Sequence, residues 1–141
     1  MKTVLAEKKF LIYFGKADPQ GFLYHARLAE MAHELIEEFW SQHKLGWKFW
    51  FQNPEWAVPL RHAECEFLSP LQAGQECAAT LQVKEVGDSS VKFLCEFYAP
   101  GPKGLTLAAR STTTHVFVSR EGFRKIPVPH LVREALTLNK T

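Results

Sequence analysis

Asp18-Pro19-Gln20-Gly21-Phe22-Leu23-Tyr24-His25 joins an apolar run, Phe10 to Phe14, to the only long helical pattern in the chain. Proline fixes its own φ and presses the residue before it toward extended backbone, while glycine accepts turn conformations that a side chain hinders, so the stretch reads as a turn. A helix is then expected from Phe22. Its first N–H groups lack intrahelical acceptors and form an electropositive, donor-rich mouth that can hold an anion or polarise a carbonyl. Asp18 would sit beside that mouth. On local pattern alone an aspartate here reads first as a helix N-cap or a turn former, since both places favour it.

From Phe22 to about Gln42, the residues Leu28, Met31, Ala32, Leu35, Ile36 and Phe39 recur so that each has another three or four positions away. They give one apolar helix face, with Glu30, Glu34, Glu37 and Glu38 largely elsewhere, over about six turns. Upstream, Lys8 to Phe14 is rich in aromatic and β-branched residues and apolar on both faces, which predicts a strand covered on both sides. Downstream, His43 to Trp56 crowds Trp47, Phe49, Trp50, Phe51 and Trp56 around Gly46 and the Asn53-Pro54 turn signal. Two readings stand for this run: a loop packed onto the core, or the aromatic wall of a ligand pocket.

The period then changes to two. In Ala57 to Leu68, Ala63, Cys65 and Phe67 alternate with His62, Glu64 and Glu66, and Ser69-Pro70 ends the run. Cys77, Ala79, Leu81 and Val83 make a second alternating set closed by Gly87-Asp88, and Val91, Phe93, Cys95 and Phe97 a third. Pro100-Gly101-Pro102-Lys103-Gly104 is a turn, and Leu105 to Ser119 supplies a fourth strand. Short connections predict an antiparallel meander. One strand, one long helix and four strands define an α+β class: a five-stranded antiparallel sheet wrapped around one central helix. Ile126-Pro127-Val128-Pro129 predicts an extended stop, followed by a short helix from His130 to Leu138 opening at proline.

A chain of 141 residues supports one core and is too short for two ordinary domains, so residues 1–141 are expected to form a single domain. At 46% hydrophobic, 23% charged and a formal charge of +2, the composition is that of a soluble globular protein without a nucleic-acid surface. Cys65, Cys77 and Cys95 are odd in number and widely spaced, which argues against a zinc knuckle and a disulfide framework and fits a reducing cytoplasm. Glu7, Lys8 and Lys9 interrupt the N-terminus where an export signal needs an apolar run, and no stretch is apolar enough to span a membrane.

The run Asp-x-x-Gly-x-Leu-Tyr-His, reached from Tyr13-Phe14-Gly15 and followed by a long amphipathic helix, resembles the signature of hot-dog-fold acyl-CoA thioesterases of the 4-hydroxybenzoyl-CoA type. Val58-Pro59-Leu60-Arg61-His62 leading to Phe67-Leu68-Ser69-Pro70-Leu71 and Gly74 is similar to that family's second strand and turn. Thr114 to Val118 with Pro127 and Pro129 is similar to its last strand and C-terminal cap. The pair His33-Glu34 and the Pro59-to-His62 stretch bring the chain nearest to the 1,4-dihydroxy-2-naphthoyl-CoA thioesterases within it. One departure stands out. The 4-hydroxybenzoyl-CoA enzymes carry a basic cluster for the CoA phosphates where this chain has Gly87-Asp88-Ser89-Ser90.

The resemblance implies hydrolysis of an acyl-CoA, expected to be aromatic such as hydroxybenzoyl- or dihydroxynaphthoyl-CoA, with short-chain acyl-CoA or acyl carrier protein thioesters as the alternative. Asp18 would attack the thioester carbonyl or act as base for a water, while the backbone N–H groups of Gly21 and His25 would bind the oxyanion. Tyr24, Trp47, Trp50 and His62 are the candidate substrate contacts, and Lys92, Arg120 and Arg124, with Lys125, the candidates for CoA phosphate. Coenzyme A is part of the substrate, and neither a separate cofactor nor a metal is expected: His25 and His33 have no ligand partner at metal spacing. Glu34 reads as solvent-facing, and His62 and His115 as hydrogen-bonded strand residues. An open sheet edge and a half-built pocket predict a homodimer or homotetramer. A non-catalytic acyl-CoA-binding module and a hot-dog dehydratase using His25 beside Asp18 are the remaining alternatives.

Overall fold

The computed structural model describes residues 4–137. Strand β1, Val4–Leu11, leads through a 3-10 turn at Phe14–Lys16 and the Asp18 turn into helix α1, His25–Gln42. A five-residue helix α2, Trp47–Phe51, and a two-residue strand β2, Trp56–Ala57, precede β3, Leu60–Phe67. Three long strands follow: β4, Glu76–Val86, β5, Ser90–Gly101, and β6, Gly104–Val116. The short β7, Val118–Ser119, pairs with β2, and helix α3, His130–Thr137, closes the described chain.

The five long strands form one antiparallel sheet in the order β1-β4-β5-β6-β3. Only β4, β5 and β6 make the expected meander; β3 does not pair with β4, its successor, but crosses to the far side of β6. The eight-residue connection from Leu68 to Gln75 is long enough for that crossing, and pairing partners so distant in sequence leave no local signature. Leu81, Cys95, Ser111 and Cys65 stand in one register row facing the helix side, where the Cys95 thiol lies 3.8 Å from the Ala32 carbonyl. The neighbouring row, Thr80, Glu96, Arg110 and Glu66, faces away and is polar, with Arg110 bonded to Glu66 at 2.7 Å.

Helix α1 buries Leu28, Met31, Ala32, Leu35, Ile36 and Trp40 against the concave face of the sheet, as its apolar periodicity dictates. At about 25 cal/mol per Å² of apolar surface, removing such side chains from water is the main stabilising contribution. Lys8 on β1 reaches Glu38 at 3.6 Å and Glu34 at 4.0 Å, so Glu34 is exposed but paired with the strand beside it. Both ends of the predicted first strand need correction. The strand ends at Leu11 and is a sheet edge: Phe10 and Ile12 are buried, whereas Tyr13 is 62% and Phe14 84% exposed. An aromatic run reads alike in a covered strand and in an exposed turn, and only the tertiary pairing separates them.

Strand β3, the opposite edge, is exposed along all eight residues, including Ala63, Cys65 and Phe67, which the alternation assigns to a buried face. The alternation is real, but α1 packs toward β1, β4 and β6 and leaves this edge open. Pro129 precedes α3 as expected, and the predicted final helical residue, Leu138, lies outside the described residues.

Candidate active site

Asp18 does not cap α1. One carboxylate oxygen, Oδ1, accepts the N–H groups of Gln20 at 2.9 Å and Phe22 at 3.2 Å, closing an aspartate turn that ends before the helix begins. Its main chain is engaged too: the Asp18 N–H donates to the Phe22 carbonyl at 2.7 Å, and the Gly21 N–H donates to the Asp18 carbonyl at 2.9 Å. Gly21 holds φ +89°, the left-handed conformation that the turn requires. The second carboxylate oxygen makes no hydrogen bond or ion pair among the described residues, and Asp18 is half-buried rather than sealed.

The helix starts three residues later than its apolar pattern predicts, at His25, and runs about five turns rather than six. Residues 22–24 are held extended instead. The Tyr24 N–H donates to the Lys16 carbonyl at 2.9 Å, the Leu23 N–H to the Leu71 carbonyl at 2.7 Å, and Ala17 and Leu23 form an isolated bridge. These bonds fold the Asp18 turn back against the chain that enters α1. Tyr24, the N-cap, supplies no side-chain bond, and the His25 N–H has no partner among the described residues. Of the two donors expected to face an oxyanion, His25 is therefore open and Gly21 is occupied by the turn itself. The Tyr24 and His25 rings lie 4.7 Å apart, both exposed at this mouth.

The other candidates lie elsewhere. Trp47 and Trp50 belong to α2, beyond the C-terminal end of α1, which at about 1.5 Å per residue is roughly 27 Å from its start. Trp47 is 40% exposed, with the Lys48 ammonium over its ring at 5.9 Å. Trp50 is 2% exposed: it stacks on Trp40 at 5.0 Å and meets Phe93, Phe117 and His115 edge-on at 5.4 to 5.9 Å. Phe49, Trp56 and Phe117 continue this packing. The crowded aromatic segment thus supplies core around Trp50, not the wall of an open pocket.

His62, Arg61 and Lys92 share a shallow hollow of about 410 Å³ with Glu85, Ser90 and Thr114. Arg120 and Arg124 sit on the hairpin after β7, Arg120 donating from Nε to the Asn53 carbonyl at 2.9 Å. All lie toward the Val86–Val91 end of the sheet, whereas Leu11, just before the Asp18 turn, is paired with Glu76 at the opposite end of β4. Eleven residues at about 3.3 Å each separate those ends by roughly 35 Å. One chain therefore does not bring the predicted phosphate contacts to Asp18.

No second nucleophile competes among the buried thiols. Burial pushes Cys77 up to about 11 and Cys95 up to about 12, so both stay protonated at neutral pH. Among the described residues, no three His, Cys, Asp or Glu side chains converge as a metal site would need. His62 is exposed, while His115 is buried with its Nε2 3.1 Å from the Thr113 hydroxyl.

What the turn does border is apolar. Phe22, Leu23, Phe67, Leu68, Pro70 and Leu71 line a hollow of about 340 Å³, a feature to which sequence reasoning assigned no role. Its one local signal is the adjacency of Phe67 and Leu68, where two consecutive apolar residues break the alternation of β3.

Comparison with known proteins places this geometry. The sequence model of the Thioesterase-like superfamily matches residues 12–136. A 1,4-dihydroxy-2-naphthoyl-CoA hydrolase from Synechocystis sp. is 26% identical over 118 residues, 84% of each chain. The crystal structure of a 1,4-dihydroxy-2-naphthoyl-CoA thioesterase from Synechocystis superposes with TM-score 0.76 at 24% identity, covering 92% of this chain and 93% of that one. A 4-hydroxybenzoyl-CoA thioesterase, solved as an aspartate-to-asparagine variant in complex with 4-hydroxybenzoyl-CoA, superposes with TM-score 0.80 at 17% identity over 94% of this chain and 98% of that one. The fold is the hot-dog fold, and with nearly its whole length matched the chain belongs to the Thioesterase-like superfamily.

Proposed function

We propose that the protein hydrolyses acyl-CoA thioesters with Asp18 as the reacting carboxylate, and that its substrates carry an aromatic acyl group. The observation that carries this reading is the pairing of an unengaged carboxylate oxygen with the open start of α1. Water and thioester give carboxylic acid and the CoA thiol. Asp18 attacks the carbonyl carbon, expelling the CoA thiolate and leaving an acyl anhydride that water then hydrolyses, or it takes the proton of a water whose attack on that carbon expels the thiolate; in both routes the His25 N–H donates to the carbonyl oxygen as negative charge develops on it. Placing that oxygen at the positive end of a helix favours the charged transition state over the neutral substrate. The reading needs no resident cofactor, since coenzyme A arrives with the substrate. The relatives' own substrates, dihydroxynaphthoyl-CoA and 4-hydroxybenzoyl-CoA, support an aromatic acyl group.

The working unit in this proposal is at least a homodimer. An eight-residue edge strand exposed on both faces offers unpaired backbone groups to a second copy. Antiparallel pairing of two β3 strands about a two-fold axis sets the Arg61-His62 end of one against the Phe67 end of the other. Residues at opposite ends of the sheet within a chain, such as Lys92 and those of the Asp18 turn, then approach across the interface. No helix among the described residues is long and apolar enough to cross a membrane, and the reading places the enzyme in the cytoplasm.

The test is release of free CoA thiol from a panel of aryl and short-chain acyl-CoAs, with Asp18→Ala checked for folding by circular dichroism. Turnover that disappears in the variant supports the assignment, and undiminished turnover refutes it. Stoichiometric binding of acyl-CoA without thiol release would instead make the protein a binding module.

A further inference from the structure

Phe123 is the one non-glycine residue with a positive φ among the described residues, at +50°, next to Gly122 at +81°. Glycine takes that left-handed conformation freely, whereas a bulky side chain there is an outlier that the surrounding structure must hold in place. Burial of the ring would ordinarily offset such strain, yet Phe123 is 70% exposed. Nothing within the chain accounts for a phenyl ring at this position.

The strain is held by a pinned hairpin. The Ser119 N–H donates to the Arg124 carbonyl at 2.8 Å, and the Ser119 hydroxyl donates to the Glu121 carbonyl at 2.7 Å and accepts the Arg124 N–H at 3.1 Å. Arg120 ties the base to the segment before β2, from its N–H to the Glu55 carbonyl at 3.1 Å and from Nε to the Asn53 carbonyl at 2.9 Å. Val118 pairs with Ala57 of β2 on one side and bridges Lys125 on the other. The hairpin thus stands across β7 from β2, the strand that leads into the open edge β3, so pairing of two β3 strands does not need this surface. Its base adjoins the β4–β5 turn, where the Phe117 N–H donates to the Ser89 carbonyl at 2.8 Å, at the opposite end of the sheet from the Asp18 turn.

The tip is also charged. Arg120, Arg124 and Lys125 are exposed around the ring against a single carboxylate, Glu121, and none of the four forms an ion pair among the described residues. An aromatic face beside free cations suits a ligand that carries a planar base and phosphates together.

We propose, resting on the thioesterase reading above, that this hairpin tip holds the nucleotide end of coenzyme A: the Phe123 ring stacks on the adenine, and Arg124 and Lys125 meet the phosphates. The left-handed φ turns the ring out to the ligand instead of letting it fold back onto the hairpin, and stability is given up for that presentation. In the paired dimer the thioester of the same CoA lies at the Asp18 turn of the other protomer.

The experiment compares KM for benzoyl-CoA and for benzoyl-pantetheine, which lacks the nucleotide, in the wild type and in Phe123→Ala, Phe123→Trp, Phe123→Asn and Arg124→Ala. Phe123→Ala should raise KM for benzoyl-CoA about tenfold, the scale of one lost base stack, and the effect should be confined to benzoyl-CoA, since benzoyl-pantetheine has no base to lose. Phe123→Trp should keep the wild-type KM. Arg124→Ala should raise KM for benzoyl-CoA by more at low salt than at high salt. Phe123→Asn should raise KM as alanine does while raising the urea midpoint, because asparagine tolerates the left-handed backbone. All these positions are exposed, so each variant is expected to fold, and circular dichroism checks this. An unchanged KM in Phe123→Ala, an equal rise for benzoyl-pantetheine, a lower urea midpoint in Phe123→Asn, or loss of the oligomer in Phe123→Ala by sedimentation overturns the site. Should no thioester be hydrolysed, the thioesterase reading fails, and calorimetric titration with CoA itself decides the site separately. Weaker binding by Phe123→Ala upholds it, and equal affinity or no binding by either protein rejects it.

Discussion

The two ends of α1 are built from similar residues and do opposite things. At its C-terminal end, Trp40, Trp50, Phe93 and Phe117 interlock with 0 to 2% exposure, and a histidine is buried among them. At its N-terminal end, Tyr24, Phe22 and Phe67 are 36 to 46% exposed, a carboxylate stands half-buried, and the helix start has no side-chain cap. Aromatic content does not distinguish a core from a site. What differs is whether the sheet and the neighbouring segments close over the rings: at the C-terminal end α2 folds back onto α1, whereas at the N-terminal end β3 runs out as an open edge. The sealed end contributes stability, and the open end keeps unsatisfied polar groups that chemistry can use.

This contrast can be broken or sharpened by substitution. The largest effect is expected from Asp18→Asn, which keeps the turn acceptor but removes the charge: kcat should fall on the order of a thousandfold, about 4 kcal/mol in barrier, with little change in melting temperature. Trp50→Ala should do the reverse, costing about 3 to 5 kcal/mol in urea denaturation through the cavity it leaves.

His115 gives a third contrast. Burial, aided by the charge of His33, pushes it down to about 4 from an ordinary 6.5. Between those values the unfolded chain binds a proton that the folded one rejects, so stability is full above pH 6.5 and falls as the pH drops toward 4. The loss reaches about 3 kcal/mol, measurable as a shift in the urea midpoint. A His115→Gln variant should flatten that dependence. The smallest effect is expected at Gly21, where a Cβ meets open space but φ is +89°. Gly21→Ala should cost about 1 kcal/mol of stability, seen in the same denaturation assay, while its N–H stays in the turn.

Much of this was legible in the chain. The apolar face of α1 from Leu28 to Ile36, the alternation of β4, β5 and β6, and the turn before Gly104 follow from local periodicity, and the structure reproduces them. Pro19 and Gly21 dictate a turn, in which an aspartate is an ordinary turn former; what singles out Asp18 is the resemblance of its run to the thioesterase signature. The position of β3 is not legible, since pairing with β6 rather than β4 is decided by long-range contacts. From sequence Trp50 reads equally as a pocket wall, because a run of aromatics carries no record of which rings are covered. The apolar pattern places the start of α1 three residues early for a related reason: Phe22 and Leu23 fit the helical pattern, but bonds to Asp18 and Leu71 hold them extended.

The open start of α1 is expected to receive the thioester, and a crystal structure with phenacyl-CoA, a non-hydrolysable thioether that keeps the carbonyl, measures that directly. Its carbonyl oxygen should lie within hydrogen-bond distance of the His25 N–H, with the carbonyl carbon beside the free Asp18 carboxylate oxygen. A ligand seated against Trp47 and α2, away from Asp18, would contradict the assignment of Asp18.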